Sequence, residues 1–361
     1  MLTVFVSRTD AAKIGSNANF NLYLGNTENN LSLKPLGLQW TPDGHISYVT
    51  FPNGTRRFFL GADSDSYSLT VSSPITLSQA VFSSPLLTKV SWPNINYPYK
   101  NGYSSLGEVL QTDSSNPYHL QGLMQDEQWE VNPDGSLNYN NFTSGIVLSE
   151  SFDGGQTWTD KTVLIRGDES LPPGTRVTGV GQPSALIING YVYIYYIDWS
   201  AQINVHHPDQ IYLAISKINP DGTLNPVQYY TSSGFSAYPV NLKPVIPVPN
   251  VPNANYTALP GVSYNSDLGV YIATFETNIG FFEMSSRDGI NFVRPKEIFS
   301  FPIPQDERNI GTTWYSYPSL LSDSTENSDQ TTRLNGNFYY SKGVWSSIDG
   351  HNLVDRAFSI R

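Results

Sequence analysis

Residues 180–199 read V-G-Q-P-S-A-L-I-I-N-G-Y-V-Y-I-Y-Y-I-D-W, two runs rich in Ile, Val and Tyr on either side of Asn189-Gly190. Asn-Gly is the strongest short-range mark of a type I′ turn, because both central residues must tolerate positive φ, so the stretch reads as a β-hairpin. Its first strand is nearly all apolar, as in a strand covered on both faces. The second sets Val192, Ile194 and Tyr196 against Tyr191, Tyr193 and Tyr195 and ends on Asp198-Trp199. That acidic end is the first pointer to chemistry.

Similar hairpins recur along the chain. They lie at residues 46–61 about Asn53-Gly54, at 104–127 through Ser114-Ser115-Asn116-Pro117, at 260–276 through Asn265-Ser266-Asp267-Leu268-Gly269, and at 318–343 with Asn335-Gly336 ahead of a strand at 337–341. Turns roughly 60 to 80 residues apart leave room for a four-stranded sheet and its loops, and radially repeated four-stranded sheets are propeller blades. The expectation is a single all-β domain, 1–361: a five-bladed β-propeller of four-stranded antiparallel blades at about 36–90, 103–167, 176–245, 255–300 and 308–361. Residues 1–35 are expected to hold strands at 2–7 and 19–24, one of them pairing with the C-terminal strand 357–361 to close the last blade.

Composition agrees with turn-rich β structure. Charged residues make up only 14% of the 361, while Tyr, Asn, Ser, Gly and Pro are abundant. A net charge of −11 without Lys/Arg clusters argues against nucleic acid and anionic membrane as partners. No apolar run approaches a membrane span, and Met-Leu-Thr-Val-Phe-Val lacks the charged n-region and long h-region of a signal peptide. Cysteine is absent, which removes disulfides and thiolate metal sites. The Pro-rich stretch 239–260 reads as an extended crossing within the domain, since hairpins resume directly after it.

Ser151-Phe-Asp153-Gly-Gly155-Gln-Thr157-Trp158 has the form S-x-D-x-G-x-T-W, the Asp-box of sialidase-like propellers. Asp closes the turn on backbone N–H groups, Gly supplies unusual φ, and Trp folds back between strands. A shortened relative, Ser286-Arg-Asp288-Gly-Ile-Asn-Phe292, lies two repeats further on. With the hairpin series and Gly181-Gln-Pro-Ser184 leading into a Tyr-rich hairpin, these strings resemble the five-bladed β-propeller glycoside hydrolases, the superfamily of arabinanases, β-xylosidases and fructan-cleaving enzymes. That resemblance implies three carboxylates at the inner mouth: an Asp base or nucleophile, a Glu general acid, and a second Asp that orients the acid. It also implies an Asp-Pro pair at the start of an inner strand, whereas here the strand starts carry Gln182-Pro, Leu259-Pro and Tyr317-Pro.

In a propeller blade the start of the first strand and the end of the second share a rim, with the Asn-Gly turns and Asp-boxes on the far side. Reading the second-strand ends gives Asp63 and Asp65, Asp126 and Glu127, Asp198 and Trp199, Glu276, and Lys342. Glycoside hydrolysis needs a raised-pKa acid and an ionised carboxylate, and clustered acids split their pKa values because they cannot all ionise at close range. Glu127, Asp198, Glu276 and Asp63 are the catalytic candidates. Asp126, Gln182, Trp199, Trp314, Tyr315 and Arg176 are the substrate-binding ones, the aromatics as faces for sugar rings. Against this, acids at strand ends also cap turns, and most aromatics in so Tyr-rich a chain are packing residues.

His119, inside a strand, reads as a hydrogen-bonded structural residue, and His206-His207 has no third ligand at metal spacing. No metal or other cofactor is assigned. Asp63-Ser-Asp65 offers oxygens to calcium, and the related propellers hold an ion in the central channel, but the rest of a calcium loop is missing.

Three functions remain. The first is a secreted or cell-surface glycoside hydrolase acting on a plant- or microbe-derived oligo- or polysaccharide. The second is a non-catalytic sugar-binding or adhesion propeller, favoured by the missing Asp-Pro. The third is a sialidase, for which Arg176 and Arg308 would supply part of the arginine cluster.

Overall fold

In a computed structural model, the structure describes residues 20–63, 65–83, 85–92, 99, 102–167, 177–199, 209–305, 311–344 and 350–361, the side chains of 139 and 140 excepted. Among the described residues the regular structure is nearly all strand, with one short α-helix, α1 (Leu77–Phe82), and a single 3-10 turn at Lys34–Leu36. The strands are β1 (Leu22–Leu24) and β2 (Asn29–Asn30). Then come β3 (Ser47–Thr50), β4 (Arg56–Ala62), β5 (Asp65–Val71) and β6 (Leu86–Lys89). Next are β7 (Ser104–Leu110), β8 (Leu120–Val131), β9 (Leu137–Ser151) and β10 (Thr162–Arg166), followed by β11 (Val177–Ile188), β12 (Tyr191–Asp198), β13 (Gln210–Lys217), β14 (Gln228–Thr231) and β15 (Gly234–Ser236). The last groups are β16 (Ala258–Asn265), β17 (Val270–Glu276), β18 (Gly280–Ser286) and β19 (Val293–Ser300), then β20 (Thr313–Leu321), β21 (Thr331–Thr332), β22 (Asn335–Val344) and β23 (His351–Ile360).

These strands form four sheets. β3-β4-β5-β6 is one, β19-β18-β17-β16-β21 another, and β1-β23-β22-β20 with β2 a third. The nine-stranded sheet joins β7 to β10 with β11 to β15 through a parallel pairing of 177–179 with 142–144. β1 pairs antiparallel with β23, Leu22 opposite Ile360, so the N-terminal part of the chain completes the sheet built by the C-terminal part. Residues 2–7 lie outside the described residues.

The opening hairpin forms as its sequence dictates: Asn189 and Gly190 take φ of 51° and 79°, and Ile188 pairs with Tyr191. The Asn335-Gly336 pair does not turn. Both residues lie inside β22, paired with Ser359 and Phe358. A Cβ on Gly336 would meet the Leu321 carbonyl at 2.2 Å, so glycine serves a close approach between strands here.

Three serines and one glutamate tie the first strand of one hairpin to that of another. Val109 N–H donates to Ser47 Oγ (3.0 Å), Ala185 N–H to Glu108 Oε2 (2.9 Å), Val262 N–H to Ser184 Oγ (3.0 Å) and Ile46 N–H to Ser319 Oγ (3.3 Å). The inner strands are thereby stitched sideways, with Gly107 against Pro183 and Gly261 against Pro318 too tightly for any Cβ. Apolar cores lie between neighbouring sheets, as in the cluster of Phe59, Leu106, Met124, Val147 and Trp158.

The Asp153 turn sits at the hairpin-turn end. Asp153 Oδ1 accepts from Ser151 Oγ (2.9 Å), Gln156 N–H (3.0 Å) and Thr157 N–H (2.9 Å), and Oδ2 from Thr157 Oγ1 (2.7 Å). Trp158 is buried edge-on to Phe59 at 6.1 Å, and Gly154 lies beside Phe51 and Tyr118 next to the first two hairpin turns. Asp288 repeats the pattern with Ser286, Ile290 and Asn291.

Candidate active site

At the other end of the inner strands the backbone is strained in a repeating way. Gln182, Leu259 and Tyr317 have φ of 50°, 55° and 57°, each directly before a proline and each at a register shift in β11, β16 and β20. Positive φ for such side chains costs roughly 1–3 kcal/mol each, and strain of this kind gathers at functional sites. Together with His45, Pro260 and Pro318 these residues line a gap too narrow to hold a water molecule.

The segment leading into β3 brings Asp43 to this rim, and the sequence reading missed it. Its N–H donates to the Gly61 carbonyl (3.0 Å), Ser105 Oγ donates to its carbonyl (3.1 Å), and Tyr317 Oη donates to Oδ1 (2.8 Å). Burial of its carboxyl raises its pKa to about 6; the Tyr317 hydrogen bond opposes this and the Asp63 charge adds to it. The Asp-Pro rule hid Asp43, because here the order is Pro42-Asp43 with Gly44 in the proline's place. The usable signal was position, one acidic residue ahead of the first inner strand where the other sheets carry Gln182, Leu259 and Tyr317.

Glu127, in β8 near its rim end, is buried. Gln125 Nε2 and Trp129 Nε1 donate to its two oxygens, each at 2.6 Å, while Gln125 Oε1 accepts from the Gln182 N–H (2.9 Å). Burial pushes its pKa up to about 8 against those two hydrogen bonds, and the charges of Asp43 and Asp126 push the same way. Glu276 ends β17, also buried, and accepts from Ser316 Oγ (2.6 Å), Tyr256 Oη (2.8 Å) and Gln305 Nε2 (3.1 Å). Burial raises it to about 7 in spite of these donors. Two buried phenols lie among the carboxylates: Tyr317 feels the charges of Asp43 and Glu276, and Tyr103 those of Asp43, Glu127 and Asp126.

Several sequence candidates are occupied otherwise. Asp63 turns its carboxylate back onto the N–H groups of Gln39 (3.1 Å) and Trp40 (2.9 Å), a loop-closing role. Asp126 is buried and paired with Lys161 Nζ (2.8 Å), whose ammonium also lies 3.9 Å from the Trp92 ring centre. Asp198 closes β12 opposite Val180, half-buried, and its charge is felt by Tyr196 and Tyr212 of its own sheet. Tyr315 is a core residue, stacked on Phe301 at 5.1 Å among Phe299 and Tyr340. Trp199 packs edge-on to Phe142 and against the backbone at Gly181, and half-buried Trp314 packs against His351. Arg176, Arg308 and His206-His207 lie outside the described residues. His119 is buried between Asp113 and Glu150 under Phe152.

Neither calcium option fits the residues present. Asp63 is taken up by backbone amides, and Asp65 pairs with Lys89. Near the centre, His45, Glu108 and Asp329 bring ligand atoms within 4.8 Å of one another. Their atoms are already committed, to Ser47 Oγ, the Ala185 and Tyr48 N–H groups, Ser319 Oγ and each other, and calcium takes about six to eight oxygens. This triad is a hydrogen-bonded knot between sheets.

An open groove of about 700 Å³ lies between β1 and β19, lined by Glu283, Glu297, Lys296 and Arg356 and by none of Asp43, Glu127 and Glu276. Among the described residues no helix is long and apolar enough to cross a membrane.

The all-β arrangement has the form of a β-propeller, and comparison with solved structures agrees on the fold. The chain is similar to an α-L-arabinofuranosidase from Lactobacillus brevis (TM-score 0.53, 10% identity, covering 93% of this chain and 92% of that one). It is also similar to a GH43_1 enzyme from Xanthomonas citri (0.52, 12%, 91% and 89%) and to an α-L-arabinofuranosidase from Podospora anserina crystallised with cellotriose (0.51, 13%, 90% and 92%). A family 117 glycoside hydrolase from Zobellia galactanivorans is similar too (0.50, 11%, 94% and 90%), and such neighbours, from glycoside hydrolase families 62, 43 and 117, are five-bladed β-propeller enzymes. No family model matches the sequence, and no curated protein does.

Proposed function

We propose that this chain is a glycoside hydrolase built as one domain of five four-stranded blades about a single axis, cleaving a plant- or microbe-derived oligo- or polysaccharide outside the cell. The observation that carries the reading is the set Asp43, Glu127 and Glu276: carboxyls from the segment before β3, from β8 and from β17, all raised, with Tyr317 beside Asp43 and Glu276 and Tyr103 beside Asp43 and Glu127. The sideways stitching of the inner strands supports the single axis.

Roles follow from the ordering of the three. Asp43, lowest at about 6, is ionised at neutral pH and serves as the base that activates water or as the nucleophile. Glu127, highest at about 8, keeps its proton at neutral pH and gives it to the leaving oxygen; the Asp43 charge helps hold that proton in place. Glu276, held by three donors, fixes the sugar between them. Turnover of arabino-, xylo- and fructo-oligosaccharides by wild type, Asp43→Asn, Glu127→Gln and Glu276→Gln tests this. Loss in the first two with ligand binding retained supports the roles, and full activity in either excludes that residue.

One observation favours the sugar-binding alternative: both oxygens of Glu127 and both of Glu276 are already held by side-chain donors. Binding without turnover by the wild type across a glycan panel would select it. The sialidase reading rests on Arg176 and Arg308, and sialosides belong on the same panel.

A further inference from the structure

The carbonyl of Pro42, the group just ahead of Asp43, accepts two side-chain hydrogen bonds from the last sheet. One comes from Ser341 Oγ and the other from His351 Nε2 at 2.6 Å. A carbonyl only accepts, so the proton of the ring sits on Nε2. Nδ1 of His351 is buried and has no partner among the described residues. A second proton there would be a buried, unpaired charge, and burial accordingly lowers the His351 pKa to about 4, against the pull of the Pro42 carbonyl.

The ring plane is fixed as well. Trp40 stands edge-on to His351 at 5.3 Å and Trp314 at 4.8 Å, with Tyr317 at 6.3 Å. Trp40 and His351 form a backbone bridge, and a Cβ on Gly350 would strike the Gln39 carbonyl at 2.6 Å. The Asp63 carboxylate holds Gln39 and Trp40 from the other side. The segment up to Asp43 is therefore gripped along its length, at 39 and 40 by Asp63, at 42 by Ser341 and His351, and at 43 by Gly61, Ser105 and Tyr317.

We infer that His351 is a positioning residue for Asp43: as a neutral Nε2–H donor to the Pro42 carbonyl, it aims the Asp43 carboxylate into the mouth without placing a charge beside it. The catalytic consequence rests on the hydrolase reading above; the structural one does not. Lysine or arginine in its place would lower the Asp43 pKa by charge, and an apolar ring would leave the carbonyl half-held. The groups facing His351 are Trp40, Trp314, Tyr317 and Gly343; those facing Asp43 are Tyr317, Asp63, Tyr103 and Glu127.

The test compares His351→Phe, which keeps an aromatic ring and loses the donor, with His351→Gln, which offers an amide N–H at similar reach. On a substrate the wild type turns over, His351→Phe should lower kcat about 100-fold with KM little changed, as expected for a misplaced reacting group. His351→Gln should recover most of it. Independently of any substrate, the carbon-13 titration of the Asp43 carboxyl should fall toward the ordinary carboxylate range in His351→Phe and stay near wild type in His351→Gln. An Asp43 titration unchanged in a folded His351→Phe overturns the inference, as does an equal loss of kcat and melting temperature in both variants. A wild type that hydrolyses no glycan overturns the hydrolase reading instead, and the Asp43 titration still decides the positioning role.

Discussion

The two ends of the inner hairpins put acids to opposite uses. At the turn end, Asp153 and Asp288 are partly exposed and ringed by donors; burial alone would raise them, but the hydrogen bonds win, leaving Asp153 lowered and Asp288 at about 2. At the rim end, Glu127 and Glu276 are buried and Asp43 is half-buried; all three accept from side chains, and burial of their carboxyls wins. One residue type thus becomes a turn-closing anion at one end and a proton-holding acid at the other. The deciding quantity is the number of N–H groups aimed at the carboxylate against the water taken from it.

The largest effect that can break this contrast is on turnover. Glu127→Gln keeps shape and removes the titrating proton, so hydrolysis should drop by roughly 10²–10⁴-fold while oligosaccharide binding, followed by calorimetry, persists. Asp153→Asn should leave turnover unchanged. Next comes stability at the turn end: Trp158→Ala should cost about 3–5 kcal/mol in denaturant unfolding, because the indole fills the space over Gly122 and against Phe59. Any ligand affinity of the folded fraction should stay near wild type.

A smaller effect appears with pH. Glu127 binds its proton more tightly folded (about 8) than unfolded (an ordinary glutamate, 4.5), so the folded state gains from that proton at low pH. Stability should fall as pH rises from about 4.5 to 8, and Glu127→Gln should flatten that slope and stabilise the protein at pH 8, on the order of 1–3 kcal/mol. A thermal melt series across this range checks it. Asp153→Ala should be milder, about 1 kcal/mol, since its hydrogen bonds are mostly exposed. Its cost should appear mainly above the ordinary carboxylate range, where the unfolded side chain is also ionised and the lowered pKa counts fully.

Local chemistry made much of the fold legible. Asn189-Gly190 dictates its turn, and counting second-strand ends placed Glu127 in β8 and Glu276 at the end of β17 without coordinates. Asn335-Gly336 misled because a glycine pair also permits close strand contact, which depends on Leu321 and Phe358 from elsewhere in the chain. Tyr315 reads as a rim aromatic until Phe299, Phe301 and Tyr340 surround it. Asp63 reads as a strand-end acid, yet it faces the amides of Gln39 and Trp40, a turn of direction no spacing reveals. Asp43 and His351 are far apart in sequence, and their link through Pro42 exists only once the last sheet closes on the first.

The most direct test of the contrast is a carbon-13 carboxyl titration of the folded protein, reading rim and turn acids in one experiment. Glu127 should titrate near 8, Glu276 near 7 and Asp43 near 6, with Asp153 and Asp288 below the ordinary carboxylate range. Rim and turn acids titrating together near their ordinary values would contradict the account.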